Sequence, residues 1–73
     1  MKTYVEVACT IYKTALVEVE HERDTSEAEV LDIAMTVARD EYSADDVEIV
    51  GIDYTKPTKN NMAKYDDFLE VNE

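Results

Sequence analysis

Residues 3–22, TYVEVACTIYKTALVEVEHE, are two alternating runs laid end to end. In the first, Thr3, Val5, Val7, Cys9 and Ile11 point one way and Tyr4, Glu6, Ala8, Thr10 and Tyr12 the other. In the second, Ala15, Val17, Val19 and His21 oppose Glu18, Glu20 and Glu22. A period of two is the signature of a half-buried strand. Two adjoining strands of similar length, each with one apolar face, predict a hairpin. Its turn falls near Tyr12-Lys13-Thr14, although no Gly or Asn marks it.

Downstream the period changes. Ser26 followed three residues later by Glu29 is a capping-box pattern, with Asp24 and Glu27 as the alternative register. Carboxylates crowd this first turn, where the helix dipole favours them. Val30, Leu31, Ile33, Ala34, Met35, Val37 and Ala38 then form an apolar stripe at helical spacing, ending near Tyr42. The stripe covers roughly half the helix circumference, which leaves room for a second apolar contact such as a partner protomer. Val47–Thr55 reads as a third strand, with Gly51 marking a bulge or a close backbone approach. After the break at Lys56–Asn61, Met62, Tyr65, Phe68 and Leu69 fit a helix, while Phe68–Val71 also fit a short strand. The helix or irregular tail is the preferred reading.

The expected fold is therefore α+β: a two-layer ββαβ sandwich with a three-stranded, mainly antiparallel sheet, one helix on one face and a short C-terminal tail. Residues 1–55 form that domain, and 56–73 pack on it as a loop with a short helix or tail. Seventy-three residues suffice for one small core. Cys9 is the only cysteine and His21 the only histidine, so neither a disulfide nor a zinc knuckle is available within the chain. Self-association is the remaining support, and a homodimer is expected. A lone thiol and the lack of a leader or of a long apolar run suggest the cytoplasm, here that of a host cell, rather than a membrane or export.

Charge is the other strong signal. Eighteen Asp and Glu against seven Lys and Arg leave −11. Twelve of the carboxylates lie between Glu18 and Glu48, accompanied only by Arg23 and Arg39. Such a surface repels phosphate and anionic headgroups, so neither direct nucleic-acid binding nor membrane binding is expected. Glu18, Glu20 and Glu22 on one strand face would stand roughly 6.5–7 Å apart, close to the phosphate spacing of a nucleic-acid strand. Glu27, Glu29, Asp32 and Asp40 add charge on the helix. Catalytic readings are weak. Cys9 and His21 share a nominal strand face, yet Cys9 sits among apolar neighbours rather than in the electropositive setting a nucleophile needs. Asp40, Glu41, Asp45, Asp46 and Glu48 cluster without the ligand order of a calcium loop. No metal or other cofactor is implied, and an enzyme is not expected.

Tyr4-Val5-Glu6-Val7, Ala15–Glu20, the capped acidic start Asp24–Glu29 and Val47-Glu48-Ile49-Val50 together resemble the small DpnD/PcfM-like proteins of phages, plasmids and conjugative elements. The resemblance covers residues 3–55, and the chain departs from it after Pro57. It implies a mobile-element setting and transfers no functional residues. With the charge pattern, the expectation is a nucleic-acid mimic of the anti-CRISPR or anti-restriction kind. It would bind a basic nucleic-acid-binding host protein through Glu18, Glu20, Glu22, Glu27, Glu29, Asp32 and Asp40. The rival expectation is a homodimeric adaptor binding through the apolar helix face.

Overall fold

The structure, a computed structural model, describes residues 1–10 and 13–72. Ile11 and Tyr12, assigned above to the strand end and turn, lie outside the described residues. The chain forms β1 (Lys2–Thr10), β2 (Lys13–Glu20), α1 (Glu27–Tyr42), β3 (Glu48–Asp53), α2 (Lys59–Met62) and β4 (Asp67–Asn72). The fold is α+β, a four-stranded mixed sheet in the order β3-β1-β2-β4 with α1 packed on it. β1 pairs antiparallel with both β2 and β3, whereas β4 runs parallel to β2.

The expected three-stranded sheet with an appended tail is thus corrected. Phe68–Val71 lie within a fourth strand, paired with Leu16–Val19 along the side of β2 that β1 leaves free. Helical spacing from Met62 to Leu69 was a coincidence of two elements. Only the four residues of α2 are helical there, capped by the Thr58 hydroxyl, which accepts from the Asn61 amide.

The hairpin and the helix form as expected, except that Lys13 and Thr14, expected in the turn, already belong to β2. The Ser26 hydroxyl caps α1 by accepting from the Glu29 amide at 3.2 Å, and Glu27 and Glu29 sit in the first turn. The helix ends where Ser43 adopts a left-handed conformation, φ 50°, letting the Ala44 amide reach the Arg39 carbonyl. Gly51 serves the first of the two roles proposed for it, that of a bulge. The β1–β3 register slips between Glu6 and Val7, leaving Val50 as the extra residue of a bulge. A side chain at Gly51 would also stand 3.1 Å from the Glu6 carboxylate.

The principal core lies between α1 and the sheet. Val5, Val7 and Cys9 of β1 and Val17 and Val19 of β2 meet Val30, Ala34 and Ala38 of α1. The small Ala34 and Ala38 let the helix sit close to the two central strands. The wide apolar arc is used on the chain's own sheet. Leu31, Ile33 and Val37 flank the stripe and pack on this same core, as do Ile49 of β3 and Leu69 and Val71 of β4. Four strands make a broader floor than three, which accounts for the width without a partner protomer.

A second, smaller core occupies the opposite face. Ala15–Val19 are all buried, so β2 is covered on both sides. Alternation places Leu16 and Tyr4 away from α1, yet they are 0% and 5% exposed. The cover is the segment joining β3 to β4. Lys56 Nζ stands 5.7 Å from the ring centroid of Phe68, the register partner of Leu16. At the far end the Asp66 amide donates to the Thr14 carbonyl at 2.8 Å, and Asp66 Oδ2 accepts from the Thr14 amide at 2.8 Å. Handedness explains the placement. The β2-α1-β3 crossover travels one way across the sheet and β3-to-β4 travels back, so keeping the same hand puts the two connections on opposite faces.

Candidate protein-binding surface

The seven acidic residues singled out from the sequence are divided by the fold. Glu18 is 8% exposed and pairs with Lys2, its Oε1 3.3 Å from Lys2 Nζ. It lies opposite Tyr4 on one side and Glu70 on the other. Glu18 is therefore not a presented carboxylate. Its hydrogen bond and charge raise the Lys2 ammonium above its ordinary value. Glu20 is exposed and in register with Lys2 on the face away from α1. Glu22 is exposed but lies beyond the end of β2. The evenly spaced three-carboxylate row expected on β2 does not form, because one member is buried and one is off the strand.

Glu20 and Glu22 nevertheless come together with Met1 and His21 around an open depression of about 490 Å³. Glu27 borders a smaller notch of about 130 Å³ beside it, which shares Met1 and His21 and adds Val30 and Tyr54. Tyr54, 66% exposed, donates its hydroxyl to Glu27 Oε1 at 2.8 Å. His21 holds this end together. Its Nε2 lies 2.7 Å from Thr3 Oγ1, its Nδ1 2.8 Å from the Glu22 carbonyl, and its backbone exchanges two hydrogen bonds with Met1. A ring with a partner at both nitrogens is a structural histidine.

Glu29, Asp32 and Asp40 lie on the outward face of α1, all exposed. At 100° per residue they share an arc of about 80° with Thr36, opposite the buried Val30-Ala34-Ala38 stripe. The acidic helix face and the Glu20 side of the sheet are thus opposite surfaces of the domain. Two separate acidic surfaces result. Glu70, exposed on β4 beside Glu18, belongs to the sheet surface and is not among the seven, because the preferred sequence reading of 56–73 is a tail. The Phe68/Glu70 alternation with Leu69/Val71 was the available signal.

Among the described residues Lys2–Glu18 is the one ion pair. The six other carboxylates singled out are exposed and unpaired with cations, so the charge is presented to solvent rather than neutralised internally.

The Cys9–His21 pairing is excluded by geometry. His21 bonds to Thr3, and Cys9 is six residues further along β1, about 20 Å away at the rise of an extended strand. Burial pushes the Cys9 thiol up, with Asp67 and Asp46 adding to the effect. Asp40, Glu41, Asp45, Asp46 and Glu48 are all exposed, and among the described residues no three His, Cys, Asp or Glu side chains converge as a metal site.

One polar link ties the late strand to the helix. The Tyr42 hydroxyl, at the end of α1, donates to Asp67 Oδ2 at the start of β4. Burial first, then that bond and the Asp67 charge, push the Tyr42 phenol far above its ordinary range. Burial likewise raises Tyr4. The fold holds these groups in their neutral forms. Their contribution to stability is therefore complete below the ordinary thiol and phenol values of 9.0 and 10.0, and is lost as pH rises through the folded values. The melting temperature is expected to fall with pH above about 9, and Tyr42→Phe to remove part of the decline above about 10. At neutral pH the same variant should cost about 1–3 kcal/mol in urea unfolding. An unchanged alkaline profile in Tyr42→Phe would dismiss the link.

No known family model matches this chain, and neither a curated protein nor a solved structure shows significant similarity to it.

Proposed function

We propose that the chain is a non-enzymatic binding protein of a mobile element. It docks on a basic, nucleic-acid-handling surface of a host protein and inhibits it by occupying the place of DNA or RNA. The observation that carries this reading is the uncompensated charge: −11 on 73 residues, with the carboxylates of Glu20, Glu22, Glu27, Glu29, Asp32 and Asp40 exposed. The sheet and a 16-residue helix position all of them except Glu22, which lies just beyond β2, and electrostatic complementarity of this kind sets association rate and partner choice. Glu18 is omitted from the contact because of its burial. The cadence of residues 3–55 supports the mobile-element setting. The adaptor reading through the apolar helix face is less favoured, since Leu31, Ile33 and Val37 pack on the chain's own sheet.

The test is capture of a partner from bacterial lysate followed by competition. Binding should weaken steeply between 0.15 M and 1 M salt, where the screening length drops from about 8 Å to about 3 Å. A DNA or RNA oligonucleotide should displace the chain. Reversing Glu29, Asp32 and Asp40 to Lys, or separately Glu20, Glu22 and Glu27, should identify the engaged surface through a loss of roughly tenfold or more in affinity. Capture that survives 1 M salt and is indifferent to competing nucleic acid overturns the proposal.

A further inference from the structure

The geometry points to a second site of opposite character: a pocket in the segment joining β3 to β4 that binds a small phosphomonoester bearing a free hydroxyl. Residues 54–65 carry three lysines and no carboxylate, in a chain otherwise dominated by acid. Residues 55–65 lie across the face away from α1 and border an open depression of about 260 Å³ lined by Lys56, Lys64, Thr55, Asn61, Tyr65 and Asp53, among others. That volume accommodates a small metabolite rather than a polymer; a water occupies roughly 30 Å³ of liquid.

The lining is rich in donors without partners. Neither Lys56 nor Lys64 lies within ion-pair distance of a carboxylate among the described residues. Each instead lies over an aromatic ring, Lys56 over Phe68 at 5.7 Å and Lys64 over Tyr65 at 5.3 Å. Those rings orient the ammonium groups without neutralising them. The hydroxyls of Thr55 and Tyr65 and the side-chain amide of Asn61 likewise have no intramolecular hydrogen bond among the described residues. Two lysines and three neutral hydrogen-bonding side chains bordering one small depression suit a compact anion with several acceptor oxygens, and a phosphate supplies them. Asp53 is the one acidic lining residue. It repels an all-acceptor ligand on its side and accepts from a hydroxyl, so the ligand presents phosphate to Lys56 and Lys64 and a hydroxyl to Asp53. This reading is independent of the acidic surfaces and stands whether or not a basic partner exists.

The experiment is a titration of the full chain, followed by amide NMR shifts, with glycerol 3-phosphate, inorganic phosphate or sodium chloride at matched ionic strength. Saturable shifts confined to residues 53–65 and tighter for glycerol 3-phosphate than for inorganic phosphate are expected. The Lys56→Gln/Lys64→Gln variant should bind roughly tenfold more weakly or worse, while Lys13→Gln, whose lysine lies outside the pocket, should bind as the parent does. A parallel arm uses vesicles containing phosphatidic acid, and the net charge predicts no retention on them. Shifts no larger than those with chloride, or equal losses in both lysine variants, overturn the site. Equal affinity for the two phosphates overturns the role of Asp53, and vesicle retention without a response to glycerol 3-phosphate overturns the small-molecule assignment.

Discussion

A chain ending at Thr55 is expected to show no cooperative unfolding transition, although it contains the hairpin, the long helix and the third strand. Ending there removes β4 and the crossing segment together. β2 would then become an edge strand, with the hydrogen-bonding groups now matched by β4 left unpaired along Ala15–Glu20. Leu69 and Val71 would be lost from the core under α1, and Leu16 and Tyr4 would lose their cover on the other face. Burying a Val or Leu side chain contributes about 1.5–3 kcal/mol each. A 73-residue domain is stable by only about 4–10 kcal/mol in total. Losing several such burials removes the whole margin. Circular dichroism against temperature and urea checks this directly. A sharp transition in residues 1–55, with near-UV signal retained, would mean that the first three strands and the helix fold alone and that the remainder is an appendage.

Leu16→Ala should cost about 2–5 kcal/mol, the range for emptying a fully buried leucine site, and so a large share of the total stability. The interest lies in where Leu16 sits. It is the largest fully buried side chain among the described residues, and it belongs to the face opposite α1. By the sequence pattern alone that face is the polar, solvated one, and an alanine there would be nearly neutral. Urea unfolding of the variant distinguishes the two cases. A change below about 0.5 kcal/mol, the ordinary effect of a surface substitution, would show that the crossing segment does not cover the sheet. Phe68→Ala, which removes the ring beneath Lys56, should be destabilising in the same direction and should also weaken the phosphate response.

Much of the architecture is legible from local chemistry. The alternation from Thr3 to Cys9 and from Ala15 to His21 specifies two strands and their shared apolar face, because side chains of an extended chain must alternate. Ser26 and Glu29 mark the start of α1, because the first amides of a helix need an acceptor and its dipole favours acid there. Gly51 marks the bulge, because a residue without a side chain tolerates the local break in strand pairing beside Val50. The excess of acid was equally plain, but its distribution was not. Glu18 and Glu20 follow one alternation, yet one is buried beside Lys2 and the other is exposed. Which strand neighbours which, and what crosses above, separates them.

Periods and caps are legible in the chain because each arises from residues within a few positions of one another, and the net charge because it is a sum that no fold alters. The tertiary structure alone decided that 67–72 would be a strand. The apolar residues around that stretch satisfy both a helical and an alternating spacing, and a short segment takes the form that gives its backbone partners. The free side of β2, nearly fifty residues away in sequence, supplies them. That pairing draws residues 55–66 across the outer face, buries Leu16 and Tyr4, removes Glu18 from the surface, and brings Lys56 and Lys64 to the border of one depression. Those consequences are non-local, which is why no window of the chain announces them.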